Sequence, residues 1–256
     1  MSLLLALDVG NSNTKLGLFD GEALTQSRRV ETQVCANRES LARWIAGLSL
    51  PWTSIQAVAL CSVVPTATAA WSSELSDRGL PPVIISGTTP TAMKNAYHDP
   101  AQLGADRLVA ALAAWWIYGK PGSVIAINLG TATTVDAVSS QGVFCGGAIA
   151  PGVSTSLQGL LASAAQLTSP PLMPVDSTLG LDTPSALQAG AYWGAIGQVK
   201  ELVSHAIAEL GESPAIVVTG GFSSLIGPAL PGVKAIDLDL TLKGIRLAWE
   251  QSRFTP

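Results

Sequence analysis

The sequence predicts an α/β protein built from two related halves. Three observations predict it. Short apolar runs rich in β-branched residues alternate with segments of helical period along the chain. The first such run, Leu3 to Leu7, leads through Asp8 and a polar turn into a second strand, Lys15 to Phe19, and so reads as a hairpin. The same pattern returns at Val124–Val138, where an apolar strand ends in Asn128 and a Gly/Thr turn leads back. A repeat on this scale points to duplication rather than to a single sheet.

In the first hairpin Asp8 closes the apolar run, and Gly10-Asn11-Ser12-Asn13 supplies residues that tolerate φ > 0 or bond their own backbone. Such a turn presents backbone N–H groups and hydroxyls to phosphate oxygens, and a carboxylate beside it suits Mg²⁺. An ordinary hairpin closed by an Asx turn fits the same four residues. Ala23–Thr32 then reads as a third strand with Arg28 and Arg29 on a solvated edge, Ser40–Leu48 as a short amphipathic helix ended by Pro51, and Ala57–Val64 as a buried strand. Thr66–Leu75 reads as helix and Val83–Ile85 as strand. Thr88–Leu103, which holds Tyr97, has no period and reads as a surface loop. Gly104-Ala105-Asp106-Arg107 opens an apolar helix, Leu108–Tyr118. Asp106 in its first turn is either a carboxylate favoured by the helix N-terminus or a base aimed into a cleft.

Gly119–Gly122 is a turn and the expected boundary, giving domains 1–119 and 120–256. Beyond the second hairpin, Gly142–Ile149 reads as a third strand, and Gly146–Gly152 as a glycine-rich loop into a helix at Ser154–Ala165. Gln166–Leu181 is loop. Pro184–Leu210 is a long helix with Thr183 placed as its N-cap, and its Gly190, Gly194 and Gly197 suggest close approach of another element or subunit. Ala215–Thr219 is a strand whose Gly220-Gly221 turn lets the backbone approach a flat ligand. Leu242–Arg253 closes the chain as a helix.

Composition removes several classes. Of 256 residues, 48% are hydrophobic and only 12% charged, so the chain buries a large core and is not disordered. The net charge of −4 and the scatter of its basic residues leave no nucleic-acid footprint. The run Leu108–Gly119 is too short to span a bilayer, and Ala137–Val175 is broken by Gly, Pro and Ser, so no membrane span is expected. Asp8 and the lack of a basic leader argue against a signal peptide. Cys35, Cys61 and Cys145 fit reduced thiols of a cytoplasmic protein, and His98 and His205 are too few for a histidine metal site. No P-loop, dinucleotide-binding, protein-kinase or nucleophile-elbow motif is present.

Seven segments occur together in order: Asp8 to Lys15, Cys61 to Pro65, Tyr97 with Pro100 and Leu103, Gly104 to Arg107, Gly130 to Asp136, Gly146-Gly147 with Pro151-Gly152, and Thr219-Gly220-Gly221. In this the chain resembles the type III pantothenate kinases, the group also called Bvg accessory factor-like proteins. The resemblance implies two actin-like, ribonuclease-H-like lobes with an ATP cleft between them. It implies ATP-dependent phosphorylation of pantothenate to 4'-phosphopantothenate, the first step of coenzyme A synthesis, by a homodimer that uses Mg²⁺ and a monovalent cation, K⁺ or NH₄⁺. Carried over by position, Asp8, Gly10, Asn11, Ser12, Asn13, Thr14 and Lys15 form the first phosphate loop, with Asp8 near Mg²⁺. Asp106 is the catalytic base. Tyr97, Gly104, Ala105, Asp106, Arg107 and Thr183 contact pantothenate. Thr131 contacts ATP, and Gly220 and Gly221 lie by the adenosine.

One position departs from the pattern. Where the family has an aspartate as its monovalent-cation ligand, this chain has Asn128, which keeps a carbonyl oxygen and loses the charge. A weak or absent cation site is the expectation. Two other readings stand beside the kinase: a catalytically silent relative acting as an accessory protein, which Asn128 favours, and a kinase of another small alcohol.

Overall fold

The computed structural model describes residues 3–164 and 166–253, arranged as two compact units, residues 3–113 with 239–253 and residues 114–238. In the first unit β1 (Leu3–Val9), β2 (Asn13–Asp20), β3 (Ala23–Glu31), β4 (Ile55–Ser62) and β5 (Val83–Ile85) form one sheet in the order β3-β2-β1-β4-β5. The pairs β1–β2 and β2–β3 are antiparallel, and β1–β4 and β4–β5 are parallel. Side chains alternate across a strand. Leu5, Leu7 and Val9 therefore share one face and join the core made with α2 (Arg38–Ala46) and α3 (Pro65–Asp77). Leu4, Ala6 and Asp8 take the other face, where α8 (Leu240–Ser252) packs. Short α1 (Thr32–Cys35), which the sequence does not announce, follows β3.

β6 is a two-residue strand, Lys94–Asn95, and α4 spans Ala105–Ala113. In the second unit the chain runs on from α4 as a π-helical turn, Ala114–Gly119. It continues through β7 (Val124–Leu129), β8 (Ala132–Val138), β9 (Val143–Pro151), α5 (Val153–Ser163), α6 (Thr183–Leu210), β10 (Ala215–Thr219), α7 (Ser223–Ile226) and β11 (Val233–Ile236). The strand order β9-β8-β7-β10-β11 repeats that of the first unit, with the same pattern of antiparallel and parallel pairs. Ile125, Ile127 and Leu129 pack with Tyr192, Ile196 and Val199 of α6.

Three sequence expectations change. The boundary lies at 113/114, and the closing helix, expected in the C-terminal domain, packs on the first sheet. Gly244 permits this, because a Cβ there would come 1.9 Å from the Val109 carbonyl oxygen of α4. The strand expected at Gly142–Ile149 runs on to Pro151 in place of the expected loop: Gly146 (φ +122°) sits beside the register shift at Ala137/Val138, and Gly147 lies so close to Asp136 that a Cβ would meet its Oδ1 at 2.4 Å. Thr183 is the first residue of α6, not its cap. Asp182 caps the helix, accepting from Ser185 N at 2.7 Å, and the Ser185 side chain returns the bond in a capping box. Among the described residues, nothing apart from the neighbouring backbone of α6 itself comes within 4 Å of a Cβ built on Gly190, Gly194 or Gly197. Ala165, at the end of the expected α5, lies outside the described residues.

Candidate active site

Asp8 ends the buried run of β1, paired with Lys15 on β2 and Cys61 on β4. Thr241 Oγ1, 233 residues away, donates to Asp8 Oδ2 at 2.7 Å. Burial pushes the Asp8 carboxyl above its ordinary value. The Thr241 bond and the Lys15 charge oppose that rise, and the Asp106 charge adds to it. The Cys61 thiol is raised well above its ordinary value, first by burial and then by the charges of Asp8 and Asp106. The charge of Asp106, from a distant part of the chain, thus reaches both Asp8 and Cys61.

The turn after Asp8 is braced on its carbonyl side. Gly10 N donates to Asn13 O at 3.1 Å, the buried Thr32 hydroxyl donates to Gly10 O at 2.6 Å, and Thr32 N donates to Ser12 O at 3.1 Å. Thr14 Oγ1 lies 3.0 Å from Thr32 Oγ1. Thr32 is not foreseen from the sequence, since a lone threonine at the end of a strand carries no signal.

Every residue of α4 except Asp106 is buried. Gly104 O accepts from Arg107 N and Leu108 N and so opens the helix. A Cβ on Gly104 would stand 2.7 Å from Asp106 Oδ1, so glycine leaves room for that carboxylate. The buried Arg107 donates through Nη1 to Tyr97 Oη at 2.7 Å and lies over its ring, 5.7 Å from the centroid. Tyr97 N bonds Asn95 Oδ1, and Asp99 caps the 3₁₀ turn Pro100–Gln102 that follows. Asp8, residues 10–15, Tyr97 and Gly104–Arg107 all belong to the first unit.

Asn128, Thr131, Thr183, Gly220 and Gly221 belong to the second. Asn128 takes the place in β7 that Asp8 takes in β1, but its strand neighbours are Thr134 and Thr219, both uncharged. Thr219 Oγ1 is buried without a hydrogen-bond partner among the described residues. Gly220 (φ +98°) is required by its surroundings, because a Cβ would lie 2.5 Å from both Asn128 Oδ1 and Leu129 O. The Thr131 carbonyl accepts from the Thr155 hydroxyl at 2.6 Å and from Gly152 N at 3.0 Å, a brace equivalent to that of Thr32 on Gly10.

Among the described residues no group of three or more His, Cys, Asp or Glu side chains could hold a metal by itself. One or two carboxylates with substrate phosphates as the remaining ligands is the usual way a phosphotransferase holds Mg²⁺, and all-oxygen donors suit so hard a cation. Asp8 is a carboxylate of that kind. Among the described residues no helix is long and apolar enough to cross a membrane.

Comparison with known proteins shows the family of the chain. The family model for type III pantothenate kinase matches residues 4–205. Type III pantothenate kinases from Geobacter sulfurreducens and Moorella thermoacetica are 36% and 38% identical, each aligned over 98% of this chain and 100% of its own length. One from Frankia alni is 39% identical with the same coverage. Among solved structures, a Baf family protein from Campylobacter jejuni superposes with TM-score 0.62 at 16% identity, over 98% of this chain and all of that one. The inorganic polyphosphate/ATP-glucomannokinase of an Arthrobacter strain gives 0.53 at 16% identity over all of both chains, and MreB 5 of Spiroplasma citri 0.54 at 13% over 99% and 98%. At these identities the structures speak to fold, and the fold is that of the actin-like sugar kinases. The chain belongs to the type III pantothenate kinase family and catalyses ATP-dependent phosphorylation of pantothenate in coenzyme A biosynthesis.

Proposed function

We propose that Asp106 is the general base of this reaction, and that Asp8, with the Gly10–Lys15 turn, holds the phosphates and a Mg²⁺ ion. The observation that carries the reading is the pairing of two carboxylates in one unit, one at the end of β1 and one as the only residue of α4 that is not buried. Phosphoryl transfer depends on positioning and charge stabilisation more than on covalent chemistry. A primary alcohol is a weak nucleophile. Asp106 takes the hydroxyl proton as the new O–P bond forms and the bond to the leaving ADP oxygen breaks. Mg²⁺, when bound, neutralises charge on the phosphate oxygens. Lys15 adds a fixed positive charge near Asp8.

Tyr97, Gly104, Ala105, Arg107 and Thr183 bind pantothenate. The Arg107–Tyr97 bond holds the phenol in place, so that pair acts as one wall of the pocket. Thr131, Gly220 and Gly221 bind the nucleotide. Asn128 offers a monovalent cation one neutral oxygen, which makes that site weak. The protein works as a homodimer in the cytoplasm. Its three free cysteines fit a reducing compartment. The α5–α6 groove, about 430 Å³ and walled by Leu157, Leu160 and the open faces of Gly190 and Gly194, supports a helix-packed dimer.

ADP release by the purified protein with ATP, Mg²⁺ and K⁺, with and without pantothenate, tests the reading at its base. Asp106→Asn should then cut kcat by about 10²–10⁴-fold, the range for general-base catalysis, with the fold intact. Unchanged turnover would remove Asp106 from the mechanism.

A further inference from the structure

We propose that Thr241 is a positioning residue for the Asp8 carboxylate, and that the closing helix thereby sets the divalent-metal affinity of the enzyme. The inference rests on the assignment of Asp8 to the metal and phosphates. Thr241 lies beyond residues 4–205, which the family model matches.

Alternation along β1 puts Asp8 on the face that α8 covers. Thr241 is the second residue of α8 and only 4% exposed, and a hydroxyl at that depth must find a partner. Its partner is Asp8 Oδ2, at 2.7 Å. A carboxylate is planar, so fixing one oxygen also fixes the direction of the other. Without the bond the group turns about its last torsion, whose energy well is broad.

The helix itself is held at three points. Leu242 Cδ1 lies 3.0 Å from where a Cβ on Gly17 of β2 would be, and the Arg246 guanidinium lies over Phe19, 5.9 Å from the ring centroid. Gly244, three residues after Thr241 and so on the same helix face, abuts the Val109 carbonyl of α4. α4 carries Asp106. One element therefore contacts both the strand that carries Asp8 and the helix that presents Asp106. Outer-shell groups of this kind orient metal ligands.

The test uses full-length Thr241→Val, Thr241→Ser and Asp8→Asn. Pantothenate-dependent ADP release is followed across a Mg²⁺ titration, and Mn²⁺ binding in the presence of a non-hydrolysable ATP analogue is followed by electron paramagnetic resonance. Thr241→Val should raise the half-activating Mg²⁺ concentration and weaken Mn²⁺ binding about tenfold or more, the usual cost of losing an outer-shell partner, with KM for pantothenate unchanged. Thr241→Ser keeps the hydroxyl and should match the parent. An unaltered metal dependence in Thr241→Val overturns the proposal, and so does a Ser variant that behaves like Val. If the Val variant does not fold, Thr241→Ala against Thr241→Ser decides in the same way. Parent-like metal dependence in Asp8→Asn would instead sink the assignment of Asp8 itself.

Discussion

The two units share strand order, strand directions and even the brace on the hairpin turn, yet the next-to-last residue of one first strand is a carboxylate and that of the other an amide. Asp8 sits between Lys15 and Cys61, takes a hydroxyl from a helix at the far end of the chain, and feels the charge of Asp106. Asn128 sits between Thr134 and Thr219 against the Gly220 turn. The same backbone thus carries two electrostatic characters. The lesson is that duplication supplies geometry, and single substitutions at strand ends distribute the chemistry.

The largest effect should come from making the first hairpin resemble the second. Asp8→Asn should lower kcat/KM by at least about 10²-fold, the scale of losing one electrostatic group at a phosphate site, and steady-state ADP release checks it. Parent-like activity would show that charge at this position is dispensable in both units.

The reverse exchange sharpens the cation question. The unaltered protein should show little difference between K⁺ and a large organic cation, and Asn128→Asp should create K⁺ stimulation. Strong K⁺ activation of the unaltered protein would refute the idea that the amide weakens the site.

The two braces should differ in worth although their bonds are equally short. The Thr32 hydroxyl is buried, so Thr32→Val leaves Gly10 O unpaired and should cost about 1–3 kcal/mol in a denaturant melt. Thr155 is exposed, water replaces its hydroxyl, and Thr155→Val should cost less than about 1 kcal/mol. Equal losses would mean that burial does not set the difference.

The smallest effect concerns Asp182, the acidic cap of α6. Asp182 accepts from the Ser185 side chain and backbone, and those bonds lower its carboxyl below the ordinary 3.8. A lowered folded value means stability that is present above 3.8 and is lost as pH falls through the folded value. Thermal melts of Asp182→Ala should therefore show a slightly flatter acid limb than the parent, with activity unchanged by comparison with Asp106→Asn. An identical acid limb would mean that the cap contributes nothing to stability.

Much of the first unit was legible. A short apolar run, a terminal carboxylate and a Gly/Asn/Ser turn are local signals, and local signals survive into the fold. The repeat in the second half was legible for the same reason. Gly146–Pro151 was misread because glycine density signals a loop, whereas here Gly147 is small to admit Asp136 from the neighbouring strand. Thr183 was placed one residue late because Asp182 and Thr183 are both good caps, and only the bond from Ser185 N distinguishes them.

By itself, then, the sequence determined the α/β class, the two hairpins, the strand-end residues Asp8 and Asn128, and the place of Asp106 in the first turn of a helix. These follow from periodicity and turn chemistry, which act over a few residues. Only the tertiary structure decided that the last helix belongs with the first sheet and that Thr241 reaches Asp8. That contact spans 233 residues and depends on Gly244 lacking a side chain against α4. No local pattern encodes it, because close approach is a property of two surfaces and not of either sequence segment.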